Sequence, residues 1–166
     1  VEYGAPFDQP AQIATIIASI AMLGSAMAVS AVLPDGDLNI IAKVYFALMI
    51  LLVVVGWGSS IRSYEIGEKG FVIKSLFGRT WIRYEDILST DFIPRLSHNE
   101  IVSRCGLFGI FGYRGAYRSD KIGDRFKLMC NRIEPAIIIE TSQKTFLISP
   151  ENARGFFEDL TKKIEG

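Results

Sequence analysis

The sequence predicts two membrane-spanning α-helices followed by a mainly-β domain of about seven short antiparallel strands, closed by one C-terminal α-helix. Three observations carry that expectation. Two apolar runs, Ala11 to Leu33 and Ile40 to Gly58, are separated only by the polar turn Pro34-Asp35-Gly36-Asp37-Leu38-Asn39. From Arg62 the texture changes to short alternating segments punctuated by glycine, the pattern of a β-rich unit. The last segment, after Ser149, places apolar residues at spacings of three and four, the period of an amphipathic helix.

The first ten residues, Val1 to Pro10, read as a polar lead-in with two prolines, and Pro10 is well placed to start the first helix. The first apolar run has 23 residues without a charge. At helical rise that is about 34 Å, enough to cross a hydrocarbon core of about 30 Å. The second has 19 residues and one charge, Lys43, whose long stem reaches toward the headgroups near the turn. Tyr45 and Trp57 stand near opposite ends of the second run, as interfacial aromatics do. Two buried helices of a soluble domain are the alternative, and neither run has the polar stripe such helices carry. A cleaved signal peptide is disfavoured too, because no Lys or Arg precedes Ala11, although the missing initiator Met leaves a processed N-terminus open. Small residues recur at four-residue spacing in the first run: Ala14 and Ala18, Ala21 and Ser25, Gly24 and Ala28. That face allows close helix packing, either on the second helix of the same hairpin, the favoured reading, or on another membrane protein.

Gly56, Gly58, Ser59 and Ser60 mark the exit from the second run, dividing the chain into residues 1–60 and 61–166. Ser63 to Ile66 and Phe71 to Ser75 flank Gly67-Glu68-Lys69-Gly70 as a hairpin. Arg79 to Tyr84 follows a turn at Leu76-Phe77-Gly78, and Glu85 to Leu88 reads as a brief helical turn or the approach to a strand over Ser89 to Arg95. The run Gly106 to Gly115 mixes glycines with large apolar residues and argues for bulges or a bent ribbon instead of a regular strand. Arg125 to Cys130, Ala136 to Thr141 and Thr145 to Ser149 have strand length, the last two joined by Ser142-Gln143-Lys144. In the final helix Ser149 is placed to cap, Pro150 to occupy the first position, and Ala153, Phe156, Phe157, Leu160 and Ile164 to form the buried face.

Strands followed by one amphipathic helix are the order of a pleckstrin-homology-like (PH-like) barrel. Gly106-Leu107-Phe108-Gly109-Ile110-Phe111-Gly112-Tyr113, then Phe146-Leu147-Ile148-Ser149-Pro150-Glu151-Asn152 and the Phe156-Phe157 helix, resemble the bacterial PH domain families of membrane-anchored proteins. The hairpin Tyr64 to Ile73 does so as well, and the likeness covers roughly Ser63 to Ile164. The resemblance implies a PH-like fold held at a membrane and brings no catalytic set. The basic motif with which eukaryotic relatives bind phosphoinositides has no residue-by-residue match here.

From Ile61 onward, seventeen Lys plus Arg stand against fourteen Asp plus Glu, a formal +3. That excess suits an anionic membrane surface and is too small for nucleic acid binding. Cys105 and Cys130 form no CxxC or Cys/His pattern and read as buried free thiols in preference to a disulfide, which stays the alternative. The one histidine, His98, lies in a polar loop, and no zinc-protease, nucleophile-elbow, phosphate-loop or dinucleotide motif is present. No cofactor or metal is expected, and the chain is read as non-enzymatic. The candidate contact surface for a partner or anionic headgroups is Arg114, Tyr117, Arg118, Lys121, Arg125, Lys127 and Arg132, a stretch with a local charge of +4. The expected role is a membrane-anchored binding or scaffold module, an accessory subunit in a membrane complex, with anionic-lipid sensing as the alternative and an enzyme of unrecognised type as a distant third. Arg62, Lys69, Lys74 and Arg79 follow the second run closely while the turn holds Asp35 and Asp37, so both termini are expected on the cytoplasmic side of a bacterial inner membrane.

Overall fold

The computed structural model describes residues 1–32, 37–97 and 100–165, with the backbone alone described at 37–39, 103–109 and 124. Pro34, His98 and Cys105, each singled out in the sequence, therefore lie outside the described residues or side chains.

Helix α1 (Gln9–Val32) and helix α2 (Asp37–Ser59) form an antiparallel pair. Both are long and apolar enough to cross a membrane, and only 11% of each apolar window is buried. A helix pair at the heart of a soluble protein would be enclosed on most sides; this pair is enclosed on one. On α2 the residues Ala42, Tyr45, Met49 and Val53 are buried or half-buried at spacings of three and four, the period of a helix face turned to a neighbour. On α1 the residues Thr15, Ala18, Ser19, Met22 and Ala26 are likewise buried or half-buried. Among the described residues, polar contacts cross the pair between Ser25 Oγ and Tyr45 Oη at 3.1 Å, and from the Trp57 indole N–H to Ser19 Oγ at 3.4 Å.

The β region is built as two sheets. One has the order β1-β2-β3-β4, from β1 (Glu2–Gly4), β2 (Ile61–Ile66), β3 (Gly70–Ser75) and β4 (Gly78–Arg83). The other has the order β5-β9-β10-β8-β7-β6. Its strands are β5 (Ile87–Ile93), β6 (Val102–Gly109), β7 (Gly112–Ser119), β8 (Gly123–Cys130), β9 (Ala136–Thr141) and β10 (Thr145–Ile148). Helix α3 (Ala153–Glu165) closes the unit. This is the expected PH-like architecture with more strands than about seven. One neighbouring pair departs from the antiparallel rule. The β9–β10 hairpin inserts between β5 and β8, so β10 returns alongside β8 in the parallel sense, with Phe146 opposite Lys127.

Two apolar clusters hold the sheets together. The first lies under α3, where the buried Phe156 ring meets the edges of Tyr3, Tyr64 and Phe71 at centroid distances of 5.2, 6.1 and 5.8 Å. The second gathers Tyr113, Tyr117, Phe126 and Leu128 with Leu96, Ile101 and Ala11, the last contributed by the start of α1.

Three local expectations are corrected. The N-terminal segment is a sheet strand, with Tyr3 opposite Tyr64. Residues 106–115 pair as the arms of the β6–β7 hairpin on either side of the two-residue turn at Ile110 and Phe111, and the register shift of this pair lies before them, between Ser103 and Cys105. Helix α3 begins later than Pro150, because Asn152 supplies the cap: its Oδ1 accepts the Gly155 N–H at 3.0 Å. Ser149 turns inward instead, donating to the Pro135 carbonyl and accepting from Arg132 Nε at 3.0 Å.

Candidate functional site at the helix–sheet junction

The chain enters and leaves the helix pair beside the β sheets, and a continuous set of contacts fixes that crossing. Asn131 lies at its centre, 1% exposed. Its amide nitrogen donates to the carbonyls of Ala5 at 2.7 Å and Ile61 at 2.6 Å, and its Oδ1 accepts the Ile61 N–H at 3.2 Å. One side chain thus joins the strand before α1, the strand after α2 and the end of β8. Asp8 caps α1 by accepting the Ala11 N–H at 2.8 Å, and its two carboxylate oxygens accept from the Tyr113 hydroxyl at 3.4 and 3.2 Å. Burial, and then the Asp8 charge, push the Tyr113 phenol up from its ordinary value.

Two turns of the β region press against the helices. In the β6–β7 turn, the Phe111 N–H donates to Thr15 Oγ1 on α1 at 2.8 Å, and its carbonyl accepts from Ser60 Oγ at 3.1 Å. Phe111 has φ of 59°, a left-handed conformation that is unusual for a bulky aromatic. Its ring fills a notch at Gly56, where an added Cβ would come within 2.4 Å of it, and meets Trp57 edge-on at 6.2 Å. In the β3–β4 turn, Phe77 lies so close to Gly58 that a Cβ there would stand 1.9 Å from the ring, and the Phe77 N–H donates to the Gly58 carbonyl at 3.3 Å. Arg114 Nη1 then caps the end of α2 by donating to the Ser59 carbonyl at 2.8 Å.

The seven residues of the predicted contact surface do not form one surface. Arg114 is committed to α2 and Arg132 to Ser149, Pro150 and Glu151, while Lys121 pairs with Glu100 at 2.6 Å. Tyr117 is a correction: it is fully buried beside Phe126, so it offers no interfacial ring. Arg118 is exposed on β7. Arg125 and Lys127 do come together, and with Lys144 they line a cleft of about 410 Å³ floored by Gly115 and Ala116. Burial, then the charges of Lys144 and Arg114, lower the Lys127 pKa, as expected where cations converge.

The predicted small-residue face also divides. Ala14 and Ala18 are half-buried, Ser25 meets Tyr45, and Ala21, Gly24 and Ala28 are exposed, with nothing within 4 Å of a Cβ built on Gly24.

Cys130 is a buried free thiol whose pKa is raised by burial and the Asp8 charge, which makes it a poor nucleophile. Among the described residues, no three His, Cys, Asp or Glu side chains are grouped to hold a metal ion.

Sequence reasoning missed the junction. Asn131 and Thr15 carry no motif, and their roles depend on partners 70 and 96 positions away. One signal was present for β1: Val1, Tyr3, Ala5 and Phe7 alternate with Glu2, Gly4, Pro6 and Asp8, the period of a strand.

The family model for the bacterial PH domain matches residues 62–164. No curated protein and no solved structure matches the chain.

Proposed function

The chain belongs to the bacterial PH domain family, and from that premise we propose that it is a membrane-anchored, non-enzymatic binding module whose helix pair spans the bilayer and presents the PH-like unit to a membrane-protein partner. The observation that supports this reading is the junction. A domain on a flexible linker would turn freely about its anchor, whereas here Asp8 and Thr15 tie β7 and the β6–β7 turn to α1, Arg114 ties β7 to α2, and Asn131 joins the two segments that flank the helix pair. A module fixed in height and rotation relative to its anchor suits a subunit that docks in one pose. It gains little for a domain that must search for substrate. The open face of α1 at Ala21, Gly24 and Ala28 is the candidate contact with the partner's helices.

The test is purification of the full chain in mild detergent beside a Gly24→Leu variant. A membrane protein that stays with the wild type and is lost from the variant, at unchanged melting temperature, supports the reading. Wild-type chain that purifies alone overturns it.

The cleft of Arg125, Lys127 and Lys144 favours a second reading, recognition of anionic lipid or another anion. Flotation of the full chain reconstituted in vesicles does not discriminate, because the anchor floats regardless. Displacement of a fluorescent anionic lipid from detergent-solubilised protein, weakened by salt and by Lys127→Gln, supports it; no binding by the wild type excludes it.

A further inference from the structure

We propose that the β3–β4 and β6–β7 turns are themselves membrane-inserting elements, so that Leu76, Phe77 and Ile110 occupy the boundary between headgroups and acyl chains beside the helix pair. The inference rests on the membrane reading of α1 and α2.

Depth is set by the junction. The β6–β7 turn is hydrogen-bonded to Thr15, six residues into α1 and about 9 Å along its axis at 1.5 Å per residue. Around Thr15, the side chains of Ile13, Ile16 and Ile17 are exposed on the outside of the helix. If those isoleucines face lipid, the turn at the same level does too. The β3–β4 turn is bonded to Gly58, the penultimate residue of α2, where that helix leaves the same side of the bilayer.

Composition and hydrogen bonding agree with the depth. Leu76 and Phe77 are 63% and 59% exposed and Ile110 is 36% exposed, at turn tips where polar residues are the rule. Backbone groups that enter an apolar layer must be satisfied within the protein. Here the Phe111 N–H, the Phe111 carbonyl and the Phe77 N–H are bonded to Thr15, Ser60 and Gly58, and the Gly78 carbonyl accepts from Ser75 Oγ at 3.0 Å. The occupant is lipid and not a protein partner, because the turns are bonded to the helices at levels where Ile13, Ile16, Ile17, Val54 and Val55 are themselves exposed.

The comparison position is Leu88, also apolar and 72% exposed. Strand β4 runs from the turn at Gly78 to Arg83, about 17 Å at 3.3 Å per residue, and Leu88 follows beyond that far end.

The test places an environment-sensitive fluorophore on Leu76→Cys, Ile50→Cys or Leu88→Cys in the full chain, reconstituted in phosphatidylcholine vesicles containing acyl-chain spin-labelled lipid. Wild-type protein labelled in parallel reports the native cysteines. Label at 76 should be quenched several-fold more strongly than label at 88 and less than label at 50. Quenching at 50 with neither 76 nor 88 quenched overturns the inference and leaves the membrane reading intact. Equal quenching at 76 and 88 also overturns it, since the whole unit would then lie on the lipid. No quenching at 50 sinks the membrane reading and the inference together.

Discussion

At the scale of single residues, buried polar side chains do more to fix this molecule than its surface charges. Asn131 bonds two buried carbonyls and one N–H at the junction. Asn131→Ala should therefore cost about 2–4 kcal/mol, the penalty for leaving such groups buried and unpaired, seen as a lowered melting temperature of the full chain in detergent. A melt within a degree or so of wild type, a shift too small for any buried hydrogen bond to have been lost, would mean the junction is not held there. The tyrosines give the fold an alkaline limit. Burial and then the hydrogen bond to Asp159 push the Tyr3 phenol up to about 12, and burial raises Tyr64 well above its ordinary value. An unfolded tyrosine ionises near pH 10, so the stability these phenols contribute is complete below about pH 10 and falls as pH climbs from there. Tyr3→Phe should flatten that fall between about pH 10 and 12 in melts recorded against pH. Tyr117 shows why residue roles were hard to read from the sequence. It sits among cations, and only the strand register of β7, which turns Tyr113 and Tyr117 inward and Arg118 outward, reveals it as core.

At the scale of elements, long patterns were legible and short ones were not. The helix pair and the buried face of α3 follow directly from composition and period, and Ala153, Phe156 and Leu160 are buried as the spacing predicts. The β6–β7 hairpin was hidden because its glycines resemble breakers, and the start of α3 because Ser149-Pro150 looks like a cap three residues before the true one. Gly56 and Gly58 look like punctuation in the sequence; both lie inside α2 as notches for rings from the β turns. That difference is testable with matched substitutions. Gly56→Leu forces a side chain into the Phe111 ring and should cost about 1–3 kcal/mol by overpacking. The emission of the neighbouring Trp57 should change as Phe111 is displaced. Gly24→Leu, in open space on α1, should leave the melt unchanged in detergent and thereby separate a packing defect from a lost partner contact.

At the scale of the whole molecule, the connection of β1 to β2 across the helix pair restricts topology. Glu2 pairs with Glu65 and Gly4 with Ser63, so the segment before α1 and the segment after α2 lie on the same side of any bilayer the helices span. Which side is a matter of charge: Arg62, Lys69, Lys74 and Arg79 favour the cytoplasm, and the turn with Asp35 and Asp37 offers nothing to oppose them. In intact cells, a thiol reagent that does not cross the membrane should therefore modify Asp37→Cys and spare Lys162→Cys. The reverse pattern would invert the orientation while leaving the fold untouched. A stronger consequence concerns Asp35→Lys combined with Asp37→Lys, which moves the charge bias toward the turn. A free hairpin could respond by withdrawing one helix and exposing one terminus alone. Because β1–β2 pairing and Asn131 hold the two ends together, cysteines at Glu2 and Lys162 should become accessible in concert or remain protected in concert. Labelling of one without the other would show that the N-terminal strand leaves its sheet in the membrane, and the fixed junction would then be lost as the basis of the proposed role.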